Sequence, residues 1–159
     1  MKKIKNPFIN KEGYNCFGCS PNNSIGIKLD FFFDEINNTV ISEWEPNLNL
    51  VGYNNILHGG IQATLLDEIA SWVVYTVLKT GGVTSQMWVR YRKPVNIDDG
   101  KIRLIARLDK HEKRLADIKV ELYNGKGELS AEANLQYFIY PEDIAKEKFG
   151  YPGIENFFN

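Results

Sequence analysis

Asn55-Ile56-Leu57-His58-Gly59-Gly60-Ile61-Gln62-Ala63-Thr64-Leu65-Leu66-Asp67-Glu68 decides how the rest of the chain is read. A histidine and two glycines open the one long helical pattern in the sequence, and a carboxylate pair follows about two turns later. The pattern predicts a helix from Gly59 or Gly60 to Lys79, with Gly81-Gly82 as the stop just past its end. With Ile61 at 0° and an advance of about 100° per residue, Thr64, Asp67, Glu68, Ser71 and Tyr75 fall in one arc of about 240–340°. Ile61, Leu65, Leu66, Ile69, Ala70, Trp72, Val73 and Val77 take up most of the remainder. A surface helix shows a narrower apolar face. This one has to be covered on most sides.

The cover lies downstream. Val83, Met87, Val89 and Tyr91 alternate with Thr84, Gln86, Trp88, Arg90 and Arg92, and Pro94 ends the run. Ile102 to Leu108, Ala116 to Leu122 and Leu129 to Ile139 alternate in the same way. Asn124-Gly125-Lys126-Gly127 marks a hairpin between the last two. Upstream, Ile25 to Phe33 and Thr39 to Trp44 read as a further hairpin around the turn Asp34 to Asn38. Period-2 alternation across consecutive strands means an antiparallel sheet with one covered face. The fold class is therefore α+β: a hairpin, a long helix and four strands, with one sheet curled around one central helix.

The chain has 159 residues, which favours one domain able to bury a sizeable core. Residues 1–24 read as an irregular lead-in, 25–140 as the folded core and 141–159 as a tail. A short helix is expected from Glu142 to Lys148, and aromatic residues of the tail are expected to dock on the core. Lys and Arg total 19 against 20 Asp and Glu, a balance that argues against nucleic acid as the main partner. No apolar stretch is long enough to span a membrane and no targeting segment is visible, so the expected location is cytoplasmic.

Cys16 and Cys19 stand as Cys-Phe-Gly-Cys. A zinc site needs about four ligands, and His58 and His111 lie far away in sequence. A redox Cys-x-x-Cys belongs between a strand and a helix, not in a lead-in rich in Gly, Asn and Pro. The expectation is a tight turn in which Gly18 supplies backbone freedom, with no metal.

Glycines at a helix start expose unpaired N–H groups and allow close approach of a ligand. That suits the oxyanion of an acyl-transfer intermediate, although the same glycines also suit a tight helix–strand contact. Asp67 lies on the polar stripe of an otherwise enclosed helix, so it meets either a partner subunit or a ligand. It stands eight residues past Gly59, about 12 Å along the axis. One substrate carbonyl can hardly touch both groups of one chain. A two-fold dimer with antiparallel neighbouring helices brings Gly59 of one protomer to Asp67 of the other.

His58-Gly59-Gly60, then Asp67, then Gly82-Val83-Thr84 leading to Tyr91 and Pro94, resembles the hotdog-fold acyl-CoA thioesterases, and most closely their phenylacetate-pathway (PaaI-like) branch. The likeness covers about residues 25–140, and the Cys-Phe-Gly-Cys lead-in resembles one set of such proteins. It implies a hotdog fold and an acyl-CoA substrate hydrolysed at the interface of a dimer or a dimer of dimers, with coenzyme A present only as part of the substrate. Gly59 or Gly60 would donate an N–H to the thioester carbonyl. Asp67 of the other subunit would activate the water or attack directly. Thr84 would help hold that water, with Ser85 its competitor should the register slip by one. His58 and the amides of Asn54 or Asn55 would order the mouth of the site. Arg90, Arg92 and Lys93 would meet the coenzyme A phosphates, or form a solvated sheet face. Glu68 is the rival of Asp67, at the edge of the stripe. A non-catalytic acyl-CoA-binding or regulatory protein of the same fold is the alternative. A hotdog dehydratase would need a different His-and-Glu helix pattern, which is absent.

Overall fold

A computed structural model describes residues 1–159. Helix α1 spans Gly59–Thr76, and seven strands surround it: β1 (Lys2–Ile4), β2 (Phe31–Asp34), β3 (Thr39–Trp44), β4 (Gly82–Tyr91), β5 (Ile102–Glu112), β6 (Leu115–Tyr123) and β7 (Leu129–Ile139). They form one antiparallel sheet in the order β1-β2-β3-β5-β6-β7-β4. The strand that follows the helix thus crosses to the far edge, and β4 has a neighbour on one side only. This is the expected hotdog architecture, a sheet wrapped on a long helix.

The core follows from the two periodicities. Leu65, Leu66, Ile69, Ala70 and Val73 of α1 are buried against Leu104, Ala106, Ile118, Val120, Leu122, Ala131 and Leu135 from the inner face of the sheet. Each large apolar side chain so placed contributes about 1.5–3 kcal/mol. The expected polar stripe on α1 is not left to solvent. Tyr75 is covered by Phe8, Tyr151 and Phe157, with ring centroids 5.3, 6.3 and 5.7 Å away. Two tail helices, α2 (Glu142–Phe149) and α3 (Glu155–Phe158), bring Phe157 into the core. The Lys5 N–H donates to the Phe157 carbonyl at 2.9 Å, so lead-in and tail fasten one another.

Four local expectations need correction. The lead-in is not wholly irregular, because Lys2–Ile4 adds a strand beside β2. The upstream hairpin is shorter than its pattern, since Lys28 has φ +60° and breaks the extended run; Ile25 is exposed, while Ile27 and Leu29 pair with Phe17 and Gly18 of the lead-in. Helix α1 stops at Thr76 rather than Lys79, and Lys79, not Gly81, takes the left-handed conformation (φ +58°). Gly81 is small for another reason: a Cβ there would lie 3.2 Å from Ala145.

The fourth correction bears on chemistry. Strand β4 bulges between Thr84 and Gln86. Thr84 pairs with Tyr137 and Met87 with Leu135, both on the helix side of β7. A bulge inserts one residue and shifts the side-chain phase on one flank of it. Thr84 therefore faces α1, on the same side as Met87, Val89 and Tyr91. Val83 goes to the outer face.

Candidate active site

The loop before α1 is pinned by backbone bonds: His58 N–H donates to Leu50 and Leu57 N–H to Val95, each at 2.9 Å. Buried Gln62 braces the same turn by donating from Nε2 to the Leu57 carbonyl at 3.0 Å, while its Oε1 accepts no bond. His58 caps the helix, with Nδ1 accepting from the Gly60 N–H at 2.9 Å. That bond occupies Gly60. The Gly59 N–H, on the first helical residue, has no acceptor in the chain. Tyr91 of β4 reaches over and donates to the Gly59 carbonyl at 2.7 Å, which fixes the peptide plane beyond the free N–H.

Asp67 is half-buried beside the edge strand. Its Oδ1 accepts from Thr84 Oγ1 at 2.7 Å and lies 2.8 Å from the Tyr137 hydroxyl, which is also 2.9 Å from the Asp67 carbonyl. Oδ2 accepts no hydrogen bond from the chain. Burial, reinforced by the Asp67 charge, pushes the Tyr137 phenol far above its ordinary value, so it remains a donor at neutral pH. One carboxylate oxygen is thus clamped and the other is free. Tyr137 is absent from the sequence-derived site, although a signal existed: its alternation points it inward, and a buried tyrosine hydroxyl usually needs a partner. Tyr91 and Gln62 are further additions.

The remaining residues separate. Glu68 turns away from Asp67 to Trp72 Nε1 at 3.2 Å and Cys16 Sγ at 3.6 Å. Asn55 has φ +62° and bonds Asp98, with Nδ2 donating at 2.9 Å; Asn54 is exposed. Arg92 pairs with Glu132 at 2.8 Å and Lys93 with Glu128 at 3.5 Å. Arg90 opposes Glu132 on the outer face of β4 and forms no ion pair within 4.0 Å. Ser85 sits at the bulge and donates to the Gln136 carbonyl at 3.0 Å. Trp72 is stacked on Phe31 inside the core, and Trp88 is 55% exposed on the outer face. A cleft of ≈ 430 Å³ lined by Lys3, Asn6, Leu29 and Trp72 includes neither Gly59 nor Asp67.

Comparison with known proteins agrees with the fold. The family model described as Thioesterase superfamily matches residues 54–131, from the loop before α1 into β7. A protein of Saccharolobus solfataricus named "Putative esterase" is 30% identical over 97 residues, 60% of this chain and 63% of that protein. The chain thus matches under two thirds of this curated relative's length. Among solved structures, a thioesterase superfamily protein superposes with TM-score 0.70 at 18% identity, covering 79% of this chain and 60% of that one. A hypothetical thioesterase of Streptococcus pneumoniae, solved with coenzyme A, superposes with TM-score 0.61 at 24% identity, covering 65% of this chain and 80% of that one.

Proposed function

We propose that this hotdog-fold chain of the thioesterase superfamily hydrolyses acyl-CoA thioesters to a carboxylic acid and coenzyme A, at sites shared by two protomers. The observation that carries the reading is the division of α1 into a free Gly59 N–H at its start and a clamped carboxylate about 12 Å further along. The coenzyme A bound to the pneumococcal thioesterase supports the choice of thioester.

The Gly59 N–H polarises the thioester carbonyl, helped by the positive end of the helix dipole. Asp67 Oδ2 of the other protomer takes a proton from a water whose oxygen adds to the carbonyl, or attacks the carbonyl itself to give a mixed anhydride that a water then hydrolyses. Thr84 and Tyr137 hold Oδ1 and aim Oδ2. The resulting oxyanion is held by Gly59, the C–S bond breaks and the thiolate of coenzyme A leaves. His58 sets the helix start by engaging Gly60. Arg90 is the cation best placed to meet phosphate, because Arg92 and Lys93 already have carboxylate partners.

The dimer is supported by β4. It is a ten-residue edge strand that exposes Val83, Trp88 and Tyr91, and long exposed edges are templates for pairing. Pairing there brings two copies of α1 side by side.

The test is release of free thiol from a panel of acyl-CoAs by wild type and Asp67→Asn. Wild type turns over at least one acyl class, and Asp67→Asn lowers kcat by roughly 10²–10⁴-fold, the range of a lost general base, with an unchanged circular dichroism spectrum. Full turnover by the variant overturns the mechanism. Binding of acyl-CoA by wild type with no thiol release favours the non-catalytic acyl-CoA-binding alternative.

A further inference from the structure

We propose that Cys16, Cys19 and Glu68 hold a zinc ion that fastens residues 14–20 to helix α1, with a water in the fourth position. The ligand atoms of these three residues lie within 4.8 Å of one another, and both thiols are free. Cys16 Sγ is 3.6 Å from each carboxylate oxygen of Glu68. A tetrahedral zinc about 2.3 Å from sulfur and about 2.0 Å from oxygen separates the two by about 3.5 Å. The present spacing is that of two ligands on one ion, with little movement required.

Cys19 is buried and Cys16 half-buried, and polar groups stand beside both sulfurs. Tyr14 lies 2.9 Å from Cys19 Sγ. Its oxygen accepts from Asn6 Nδ2 at 2.9 Å, and its own proton is available to a thiolate at Cys19. Trp72 Nε1 donates to Glu68 Oε1 and leaves Oε2 for an ion. Groups such as Tyr14 behind Cys19 and Trp72 behind Glu68 are the outer shell that orients metal-binding side chains. Gly18 permits the approach: a Cβ there would come within 2.5 Å of the Glu68 carboxyl.

Charge points the same way. Glu68 takes part in none of the ion pairs of the chain. Secluded carboxylates are paired with a cation or coordinate a metal. Two thiolates and a carboxylate in tetrahedral array suit zinc among the common divalent ions. Binding displaces two thiol protons into solvent and leaves the three protein ligands and the ion with a net charge of −1. A Cys16–Cys19 disulfide would instead withdraw both sulfurs from Glu68 and leave that carboxylate with Trp72 alone. The Cys-x-x-Cys spacing alone does not reveal the site, because the third ligand stands 52 residues from Cys16. The proposal uses Glu68 and not Asp67, so it stands or falls separately from thioester hydrolysis.

The test loads full-length, reduced protein with stoichiometric zinc, removes the excess and measures metal content by mass spectrometry. Cobalt(II) reconstitution then reads the ligand set. The expected result is one zinc per chain, with cobalt showing a thiolate charge-transfer band and the visible bands of a tetrahedral site. Cys16→Ser and Glu68→Gln lose the retained metal, and Tyr14→Phe weakens it roughly 10–100-fold, the usual effect of an outer-shell partner. Wild type that retains no zinc and gives no thiolate–cobalt band overturns the proposal. So does a Cys16–Cys19 disulfide in metal-free protein, or Glu68→Gln that retains zinc like wild type. The wild-type measurement decides even where a variant fails to fold.

Discussion

Gly59 and Gly60 are adjacent and interchangeable by sequence, yet their N–H groups have different fates. Gly60 is consumed by the His58 cap at 2.9 Å, while Gly59 has no acceptor. This gives a variant that removes one atom's function and little else. Gly59 is the first helical residue, where proline is favoured because its missing N–H would be unpaired anyway. His58 precedes it at φ −56°, ψ 134°, the extended backbone that a residue before proline prefers. Gly59→Pro is therefore expected to keep the fold and its melting temperature. Its kcat on acyl-CoA should fall roughly 10²–10³-fold, the cost of one oxyanion donor. Retained turnover in a folded Gly59→Pro protein would remove Gly59 as that donor. The free N–H was legible from the glycine pair as a possibility. The assignment to Gly59 was not, because the choice depends on where the His58 ring folds.

At the scale of elements, the inner faces of β5, β6 and β7 and the apolar arc of α1 were legible because period-2 and 3.6-residue patterns carry burial directly. Strand β4 was legible only in part. Its bulge at Ser85 leaves no mark in an alternating pattern, so Thr84 reads as outward until Tyr137 is seen opposite it. Strand β1 has three residues, too few to show a period, and Lys28 hides a left-handed turn inside an alternating run. The tail was legible as aromatic but its destination was not, since contacts such as Phe8–Phe157 join the two ends of the chain. Those contacts make α3 part of the core. Phe157 is fully buried among Phe8, Trp72, Tyr75 and Tyr151. Phe157→Ala is expected to cost about 3–5 kcal/mol, read as a lower urea midpoint with an unchanged slope. A loss under about 1 kcal/mol would mean that α3 lies on the fold without supporting it.

The whole molecule holds the two groups assigned to the proposed site where they cannot meet. Thr84, Tyr137 and Asp67 are joined within one chain at 2.7 and 2.8 Å, whereas Gly59 lies two turns earlier on the same rigid helix, about 12 Å away. In the proposed mechanism a second copy supplies the missing half, and this has a consequence that a single-chain site cannot imitate. Asp67→Asn and Gly59→Pro homodimers each carry one defect in both sites. In a mixed dimer one site collects both defects and the other has none. Random re-association makes about half of the dimers mixed, each with one intact site of two, so activity returns to about one quarter of wild type. The measurement is thiol release after the two inactive proteins are unfolded together and refolded, against each refolded alone. If both groups acted from one chain, every site in the mixture would retain a defect and no activity would return. Trp88→Glu added to either variant, a charge on the exposed edge strand, should abolish the recovery by blocking the pairing itself. Recovery that survives Trp88→Glu would place the dimer contact elsewhere on the surface.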